Sequence, residues 1–167
     1  MTNKSKSIKV PVRYLPKQLS KKDKKLQKKL LNKSRKLYKK GLYFTRKKLK
    51  SFKSKKSNHV SNAEKLYNIS NLSINNELVK KTGCSKEGLQ KIVSKGQGAY
   101  FSSGSRPNQT ASSWGYARLG SALTGAKSAI YDYKVLEQHC KNNSKALKLA
   151  KKAFIKYKNS KVKKINI

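Results

Sequence analysis

The chain carries far more positive than negative charge, and this limits how it can fold alone. It has 43 Lys and Arg residues but 6 Asp and Glu residues among 167, a formal net charge of +37 at pH 7. Like charges at this density repel one another and oppose compaction, so the sequence predicts a polyanionic partner. DNA, RNA and an acidic membrane surface all fit that description, and charge alone does not separate them.

The positive charge is concentrated at the two ends of the chain. Residues 1–60 carry 23 basic residues against Asp23, and residues 143–167 carry nine lysines and no acid. Residues 61–142 hold 11 basic and five acidic residues. This distribution predicts a basic arm with one amphipathic helix (1–60), a helical core domain (61–142), and a basic C-terminal helix and tail (143–167).

The first basic region predicts an extended segment followed by a helix. Residues 1–19 show no helical period and are interrupted by prolines. Ser20, with Asp23 three residues later, predicts the N-cap of the helix, and Gly41 predicts its end. The apolar stripe of this helix would be formed by Leu26, Leu30, Leu31, Leu37 and Tyr38.

A strip of alternating aromatic and basic residues follows, from residue 42 to residue 59. Basic side chains can follow a phosphate backbone, and aromatic rings can stack on exposed bases. We expect the lysines of the strip to contact phosphates, and Tyr43, Phe44 and Phe52 to pin the strip onto the core.

Residues 77–93 predict a helix-turn-helix-like unit. Gly83 would supply the turn, and Ser85 would cap the second helix. The outward positions of that helix would be Lys86, Glu87, Gln90 and Lys91. An ordinary pair of packed helices fits the same pattern, and Gly88 is unfavourable inside a helix that reads DNA.

Residues 95–110 are rich in Gly and Ser, and two interpretations stay open. The backbone amides could form a nest around an anion. Alternatively, the segment is a structured turn in which Arg106 and Asn108 bond the backbone and Thr110 caps the next helix. Arg106 and Arg118 are among the few arginines in a lysine-rich chain, which suggests that a planar, forked guanidinium is needed there.

The C-terminal part predicts further helices. Gly115, Gly120 and Ala122 would let another helix approach closely. Ser144 would cap a last helix with an apolar face of Leu147, Ala150, Phe154 and Tyr157, and the tail, residues 161–167, is expected to be frayed. The fold class is therefore all-α: a small helical domain with a helix-turn-helix-like unit, flanked by an extended basic N-terminal arm and a basic C-terminal helix.

Catalytic and cofactor signals are absent from the sequence. It shows no Ser-His-Asp set, no paired carboxylates and no metal-ligand spacing, so we expect no enzyme and no cofactor. No apolar run approaches the roughly 20 residues of a membrane span. Cys84 and Cys140 are expected to be free thiols in a reducing compartment.

We expect nucleic-acid contacts from basic and polar residues of the predicted helices, strip and turn. They are Lys21, Lys22, Lys25, Lys28, Lys29, Lys36, Lys40, Arg46, Lys47, Lys48, Lys86, Gln90, Lys91, Arg106, Lys148, Lys151 and Lys152.

Several segments resemble an uncharacterised family of basic domains from large nucleocytoplasmic DNA viruses of algae and protists. They are Lys81–Ser85, Lys95–Tyr100, Ser103–Thr110, Ser113–Trp114 and Ala117–Leu119. The Ser-Gly-Ser-Arg-Pro-Asn-Gln-Thr turn is the most specific of them, and more distant versions of its Arg-Pro pair occur in marine phages. The resemblance covers about residues 10–155. It implies a viral protein, located in the virion and in the host cytoplasm or nucleus during infection, but no particular activity.

The favoured function is a non-enzymatic, virion-associated protein that neutralises DNA phosphates with little sequence specificity. One alternative is a minor capsid or capsid-associated protein whose basic arms bind acidic faces of neighbouring subunits. A second alternative is an RNA- or ribosome-associated protein. DNA is favoured over RNA as the partner, and capsid proteins are a further candidate.

Overall fold

A computed structural model describes residues 7–167, which are mostly helical with one small antiparallel sheet. The helical content agrees with the predicted all-α class. The elements are β1 (Lys9–Pro11), a short 3-10 helix (Val12–Tyr14), α1 (Lys21–Lys39), α2 (Asn58–Leu66), α3 (Asn76–Thr82), α4 (Lys86–Ser102), α5 (Ala111–Leu123), α6 (Ser128–Tyr131), α7 (Tyr133–His139), α8 (Lys145–Tyr157) and β2 (Lys164–Asn166).

The described residues form two compact units. Unit 1 consists of residues 7–54, 99–110 and 161–167, and unit 2 consists of residues 55–98 and 111–160. This division differs from the predicted parts 1–60, 61–142 and 143–167. Charge distribution follows chain order, whereas each unit joins segments that are distant in sequence.

The two terminal segments of unit 1 pair with each other. Val10 lies opposite Ile165 in the two-stranded sheet, and Val10 is fully buried. The expectation of a frayed tail at residues 161–167 is therefore wrong, because backbone pairing with β1 holds it. Residues 7–19 also pack, since Tyr14, Leu15 and Leu19 are buried. The first part of the predicted arm, residues 1–6, lies outside the described residues.

Helix α1 begins and ends where its capping signals predict, but its buried face is only partly the predicted one. Ser20 Oγ accepts a hydrogen bond from Asp23 N at 3.1 Å, and Gly41 adopts a left-handed φ of 74° just beyond the helix. The predicted stripe of leucines and Tyr38 is only partly correct, because Tyr38 is exposed. The buried residues of the helix are Asp23, Gln27, Leu30, Leu31 and Ser34.

Unit 2 has a larger apolar core. Glycines allow its helices to approach closely, as predicted: a Cβ at Gly120 would lie 2.5 Å from the His59 carbonyl oxygen. A Cβ at Gly96 would lie 2.6 Å from the Gly115 Cα. The largest side chains that are fully buried in this core are Leu78, Leu89, Ile92, Leu119, Leu123, Leu136 and Leu147.

The local signals along unit 2 are confirmed at its turns and caps. Gly83, with φ 70°, follows α3, and Ser85 Oγ accepts from Gly88 N at 3.1 Å at the start of α4. Ser144 caps α8 by accepting from Leu147 N at 3.2 Å. The predicted apolar face of α8 is correct at Leu147 and Ala150, which are both buried, but not at Phe154, which is 41% exposed.

The two cysteines are not free thiols. Cys84, just before α4, and Cys140, just after α7, form a disulfide, and the backbones of the two residues pair as well. Ser85 N donates to the His139 carbonyl at 2.7 Å beside them. The expectation failed because it rested on cysteine number and composition, which carry no information about two residues 56 positions apart.

Candidate nucleic-acid interface

Nearly all of the predicted contact residues are exposed, and they occur in both units. In unit 1 the exposed residues are Lys21, Lys22, Lys25, Lys28, Lys29, Lys36, Lys40, Lys47, Lys48 and Arg106. In unit 2 they are Lys86, Gln90, Lys91, Lys148, Lys151 and Lys152. Arg46 is the exception, with 7% of its surface exposed.

The lysines of α1 occupy the side of the helix opposite its buried face. Residues three, four and seven apart share one side of a helix, and Lys22, Lys25, Lys29 and Lys36 follow that spacing. A shallow groove along the C-terminal half of α1 is lined by Lys29, Asn32, Lys33, Lys36, Leu37 and Lys40. The helix therefore presents a continuous row of ammonium groups.

Residues 42–54 of the strip run alongside α1 in the opposite direction. Ser51 donates to the Asp23 carboxylate near the start of the helix, through its N at 2.9 Å and its Oγ at 2.6 Å. Further along, Lys33 Nζ lies 4.6 Å from the centre of the Phe44 ring. The exposed Lys47 and Lys48 belong to the same segment, so two basic rows border each other.

The aromatic residues of the strip divide into two kinds. Phe44 and Phe52 are partly buried against a small cluster that includes Leu30 and Leu49, which confirms their predicted pinning role. Tyr43 is 73% exposed, so the same prediction is wrong for it.

Residues 42–54 of the strip have no regular secondary structure, and side chains from distant segments satisfy their backbone. Asn108 Oδ1 accepts from Leu49 N at 2.6 Å, and Asn108 Nδ2 donates to the carbonyls of Leu49 and Phe52. Tyr100 Oη accepts from Arg46 N at 3.0 Å. Of the two interpretations of the Gly- and Ser-rich segment, Asn108 fits the structured turn, while Arg106 is exposed.

Arg46 acts inside unit 1 and not at its surface. Its guanidinium donates to Ser34 Oγ at 2.9 Å, to the Tyr100 carbonyl at 2.7 Å and to Ser105 Oγ at 2.7 Å. The group also lies 3.8 Å from the centre of the Tyr100 ring. Burial lowers the pKa of Arg46. The prediction that Arg46 contacts phosphate is corrected, because its donors are already engaged within the protein.

Asp23 is the only acidic residue in the sequence of unit 1, and its side chain is turned inward. It is 8% exposed, and the hydrogen bonds from the Ser51 side chain and backbone hold the pKa of its carboxyl below the ordinary value. The charged side chains at the described surface of unit 1 are therefore all basic. The carboxylate serves to fix the strip beside α1.

In unit 2, the side chains of Ser85 and His139 are in contact at the start of α4. Ser85 Oγ lies 3.0 Å from His139 Nδ1, and Lys91 Nζ lies 3.2 Å from His139 Nε2. A lysine ammonium can only donate, so the Lys91 contact assigns Nε2 as an acceptor and leaves Nδ1 as the N–H donor toward Ser85. Ser85 Oγ then accepts from His139 as well as from Gly88 N. Ser85 Oγ thus caps α4, and with this tautomer His139 presents no lone pair toward it.

The same contacts explain Gly88, which looked unfavourable in the sequence. A Cβ at Gly88 would lie 2.3 Å from the His139 Cβ. The residue is a glycine because α4 meets the end of α7 at this point. Lys91 also pairs with Glu87 at 3.2 Å, so its charge is partly engaged at the surface.

A buried carboxylate in unit 2 was missed by sequence reasoning. Asp132 is fully buried and receives a forked contact from Arg118, with Nε and one terminal nitrogen each at 2.8 Å. Lys95 Nζ lies 3.8 Å from the same carboxylate. The forked guanidinium expected at Arg118 is present. Asp132 gave no signal, because it lies 14 residues from its partner outside any helical repeat.

Between residues 7 and 167, no group of three His, Cys, Asp or Glu side chains could hold a metal ion. Over the same span, no helix is long and apolar enough to cross a membrane.

The chain was compared with known protein families, curated proteins and solved structures. Residues 11–141 match a family of unknown function, DUF5824. No curated protein and no solved structure matches the chain.

Proposed function

The chain belongs to the DUF5824 family of unknown function, and we propose that it is a non-enzymatic nucleic-acid-binding protein. It would neutralise phosphates through the lysines of α1 and of the strip, with little dependence on base sequence. In line with the viral resemblance of its Arg-Pro turn, we further propose a virion-associated role on DNA.

The observation that carries this proposal is the charge arrangement of unit 1. Two neighbouring rows of exposed lysines have no acidic side chain between them, because Asp23 is engaged by Ser51. Helix α1 has 19 residues and a length of about 28 Å, which matches the axial length of about eight base pairs. The row on α1 can therefore follow one stretch of phosphate backbone.

Low sequence specificity is supported by how few arginines are exposed: of the five in the sequence, Arg13 and Arg106 are the exposed ones. Forked guanidinium groups make the commonest base-specific contacts in the major groove. Arg46 is buried and Arg118 is held by Asp132, so neither is available to a base. Lysines bind phosphates as point charges without reading bases.

The helix pair α3–α4 is better suited to positioning the protein on nucleic acid than to reading the base sequence. Lys86 and Gln90 are exposed on α4, as a helix-turn-helix would need. However, Glu87 is exposed beside them and would face the phosphates of a groove, which is unfavourable. We therefore leave base reading by α4 out of the proposal.

The two alternatives differ in their support. The capsid-associated alternative relied on extended basic arms. Of the residues that the structure describes, 7–19 and 161–167 pack within unit 1, which supports this alternative less than the first proposal. The RNA alternative uses the same lysines as the DNA proposal. Binding to duplex DNA and to structured RNA at equal salt separates those two partners.

The experiment is a titration of duplex DNA with the full chain at several salt concentrations. If about ten phosphates are engaged, the slope of log affinity against log salt is about −9. The triple variant Lys25→Gln, Lys29→Gln, Lys36→Gln should make this slope shallower by roughly 3, because each lost contact removes about 0.9.

A matched control tests whether position or total charge is responsible. The variant Lys65→Gln, Lys80→Gln, Lys134→Gln changes three exposed lysines of unit 2 outside the proposed contacts and alters the net charge equally. It should leave the slope nearly unchanged. Equal losses in both variants would contradict the assignment to α1, and a slope near zero for the unaltered chain would remove the proposed function.

A further inference from the structure

A cluster of aromatic and apolar side chains, most of them exposed, lies at the C-terminal end of α1. This aromatic patch consists of Tyr38, Leu42, Tyr43 and Phe101, and Tyr43 and Leu42 are 73% and 53% exposed. The ring of Tyr43 lies 6.1 Å from that of Tyr38 and 5.1 Å from that of Phe101, measured between centroids. Contiguous exposed rings of this kind mark binding surfaces more often than isolated ones do.

The patch is held in place before any ligand arrives. The ring of Phe101 packs edge-on against Tyr100, which is fully buried, at 5.1 Å. The turn that carries Leu42 and Tyr43 is closed by hydrogen bonds from Gly41 N to the Tyr38 carbonyl and from Leu42 N to the Leu37 carbonyl, both 2.9 Å. A flat ligand would therefore bind with little ordering of the protein, which favours affinity.

The surroundings of the patch determine the chemistry of its ligand. Lys36, Lys39, Lys40 and Lys47 are exposed next to it in the sequence. The single carboxylate of the unit, Asp23, lies 15 residues before Tyr38, about 22 Å along the helix. A ligand for this surface needs flat apolar faces together with dense negative charge, and unpaired nucleotides combine the two.

We propose that the aromatic patch binds an unpaired base of a single-stranded nucleic acid by stacking on Tyr43, while the neighbouring lysines bind its phosphates. This inference rests on the proposed function and adds a preference for unpaired strands. A duplex hides the faces of its bases, so the patch contributes nothing to duplex binding. The shared chemistry of single-stranded DNA and RNA, a base on a phosphate backbone, is sufficient for stacking.

The test compares the unaltered chain with Tyr43→Ala on three fluorescent probes of equal phosphate number. The probes are single-stranded DNA, single-stranded RNA and duplex DNA. Loss of one stacked base weakens binding by roughly 5- to 150-fold, so Tyr43→Ala should lose affinity in this range for single strands. Its affinity for the duplex should stay unchanged, and its salt slope on all probes should be that of the unaltered chain, because no phosphate contact is removed.

Matched variants isolate the ring itself. Tyr43→Phe keeps the aromatic face and should keep single-strand affinity, whereas Tyr43→Leu keeps apolar bulk and should lose it as Tyr43→Ala does. Tyr131→Ala removes a tyrosine of unit 2 that is 65% exposed and should change nothing. If Tyr43→Ala fails to fold, Tyr43→Leu carries the comparison. An oligomer of abasic sugar phosphates should bind the unaltered chain and Tyr43→Ala equally.

The outcomes separate this inference from the proposed function. Absence of salt-dependent binding to every nucleic acid removes both. Salt-dependent binding to all probes with no effect of Tyr43→Ala on single strands overturns only the stacking inference. Equal weakening on single strands and duplex overturns it as well, since the ring would then act on the phosphate surface. Loss of binding to phosphatidylserine vesicles in Tyr43→Ala, with nucleic-acid binding unchanged, would assign the patch to lipid instead.

Discussion

The interior of unit 1 is rich in polar groups, whereas that of unit 2 is mostly apolar. In unit 1, Asp23, Gln27, Ser34, Arg46 and Ser105 are buried beside a small cluster of leucines. In unit 2, the core is a large apolar cluster closed by the disulfide between Cys84 and Cys140. The unit with the denser positive charge is thus held more by directional hydrogen bonds, and the other more by apolar burial.

This difference follows from what each sequence segment can contribute. A helix that must present lysines on most of its surface has few positions left for apolar side chains. Unit 1 compensates with side chains that bond the backbone of distant segments, as Gln27 does with the carbonyls of Tyr14 at 3.1 Å and Ser105 at 3.4 Å. Such bonds depend on specific residues, because a buried polar group that loses its partner is costly. Unit 2 tolerates substitution better wherever one apolar residue can replace another.

The largest expected effect concerns the disulfide of unit 2. Reduction of the disulfide should lower the free energy of unfolding of unit 2 by about 4 kcal/mol, because it releases a loop of 56 residues in the unfolded chain. Trp114 is the single tryptophan and lies in unit 2, so its fluorescence in a denaturant titration, with and without reductant, measures the change. Hydrogen exchange of unit 1 should change much less, since both cysteines lie in unit 2.

The control is the double variant Cys84→Ser, Cys140→Ser. It should unfold at the midpoint of the reduced chain and should not respond to reductant. An unaltered midpoint after reduction would show that the disulfide contributes nothing. If the amides of unit 1 lost hydrogen-exchange protection to the same extent, the two units would not unfold separately. The contrast between a polar and an apolar interior would then not describe how each unit is stabilised.

The next effect tests the polar interior of unit 1. Arg46→Met should lower the free energy of unfolding by roughly 3 kcal/mol, because it leaves the Tyr100 carbonyl and two buried hydroxyls without their donor. Arg46→Lys should recover only part of this loss, since an ammonium cannot reproduce the planar fork or the contact with the Tyr100 ring. Hydrogen exchange of the unit 1 amides measures both variants.

The neighbouring residue provides the matched control for Arg46. Lys47 is exposed, so Lys47→Met should change stability by no more than about 0.5 kcal/mol. If Arg46→Met is as mild as Lys47→Met, the hydrogen-bonded interior is not what stabilises unit 1. Apolar contacts of the leucine cluster would then carry the unit, as in unit 2.

The contrast between the units also explains which features the sequence could predict. Caps and turns were predictable because their signals are local, as at Ser20, Gly41, Gly83 and Ser144. The buried face of α1 was not, because a hydropathy pattern selects leucines and cannot foresee that Gln27 and Ser34 find partners elsewhere. The segments that hold Arg46 lie more than 50 residues away, at Tyr100 and Ser105.

The candidate interface was predictable in part for the same reason. Charge density indicated the exposed lysines correctly, since a lysine without a partner stays at the surface. It could not identify Arg46 as buried, nor Tyr43 as exposed, because both depend on contacts between α1, the strip and the end of α4. The disulfide likewise joins two turns whose proximity depends on the packing of helices between them.

The smallest expected effect concerns the pKa values of two carboxylates, Asp23 in unit 1 and Glu64 in unit 2. Hydrogen bonds from the Ser51 side chain and backbone lower the pKa of Asp23. In unit 2, Lys56 Nζ at 2.6 Å and Leu72 N at 3.0 Å lower the pKa of Glu64. A carboxyl with a lowered pKa in the folded state stabilises the fold above its unfolded value, and this contribution is lost as pH falls through the folded value. The unfolded values are near 3.8 for Asp23 and 4.5 for Glu64, so both losses begin around those pH values and continue below them.

The two losses should differ in their response to salt. Asp23→Asn should flatten the acid-induced loss of protection in unit 1, and Glu64→Gln should flatten it in unit 2, when hydrogen exchange is followed between about pH 5 and pH 2. Added salt should weaken the Glu64 contribution, because its leading partner is a lysine ammonium that salt screens. It should leave the Asp23 contribution nearly unchanged, since Ser51 is neutral. Equal salt sensitivity at the two sites would mean that the surrounding lysines set the pKa of Asp23. The hydrogen bonds from Ser51 would then not be responsible for the lowered pKa, and the conclusion that Asp23 fixes the strip beside α1 would be wrong.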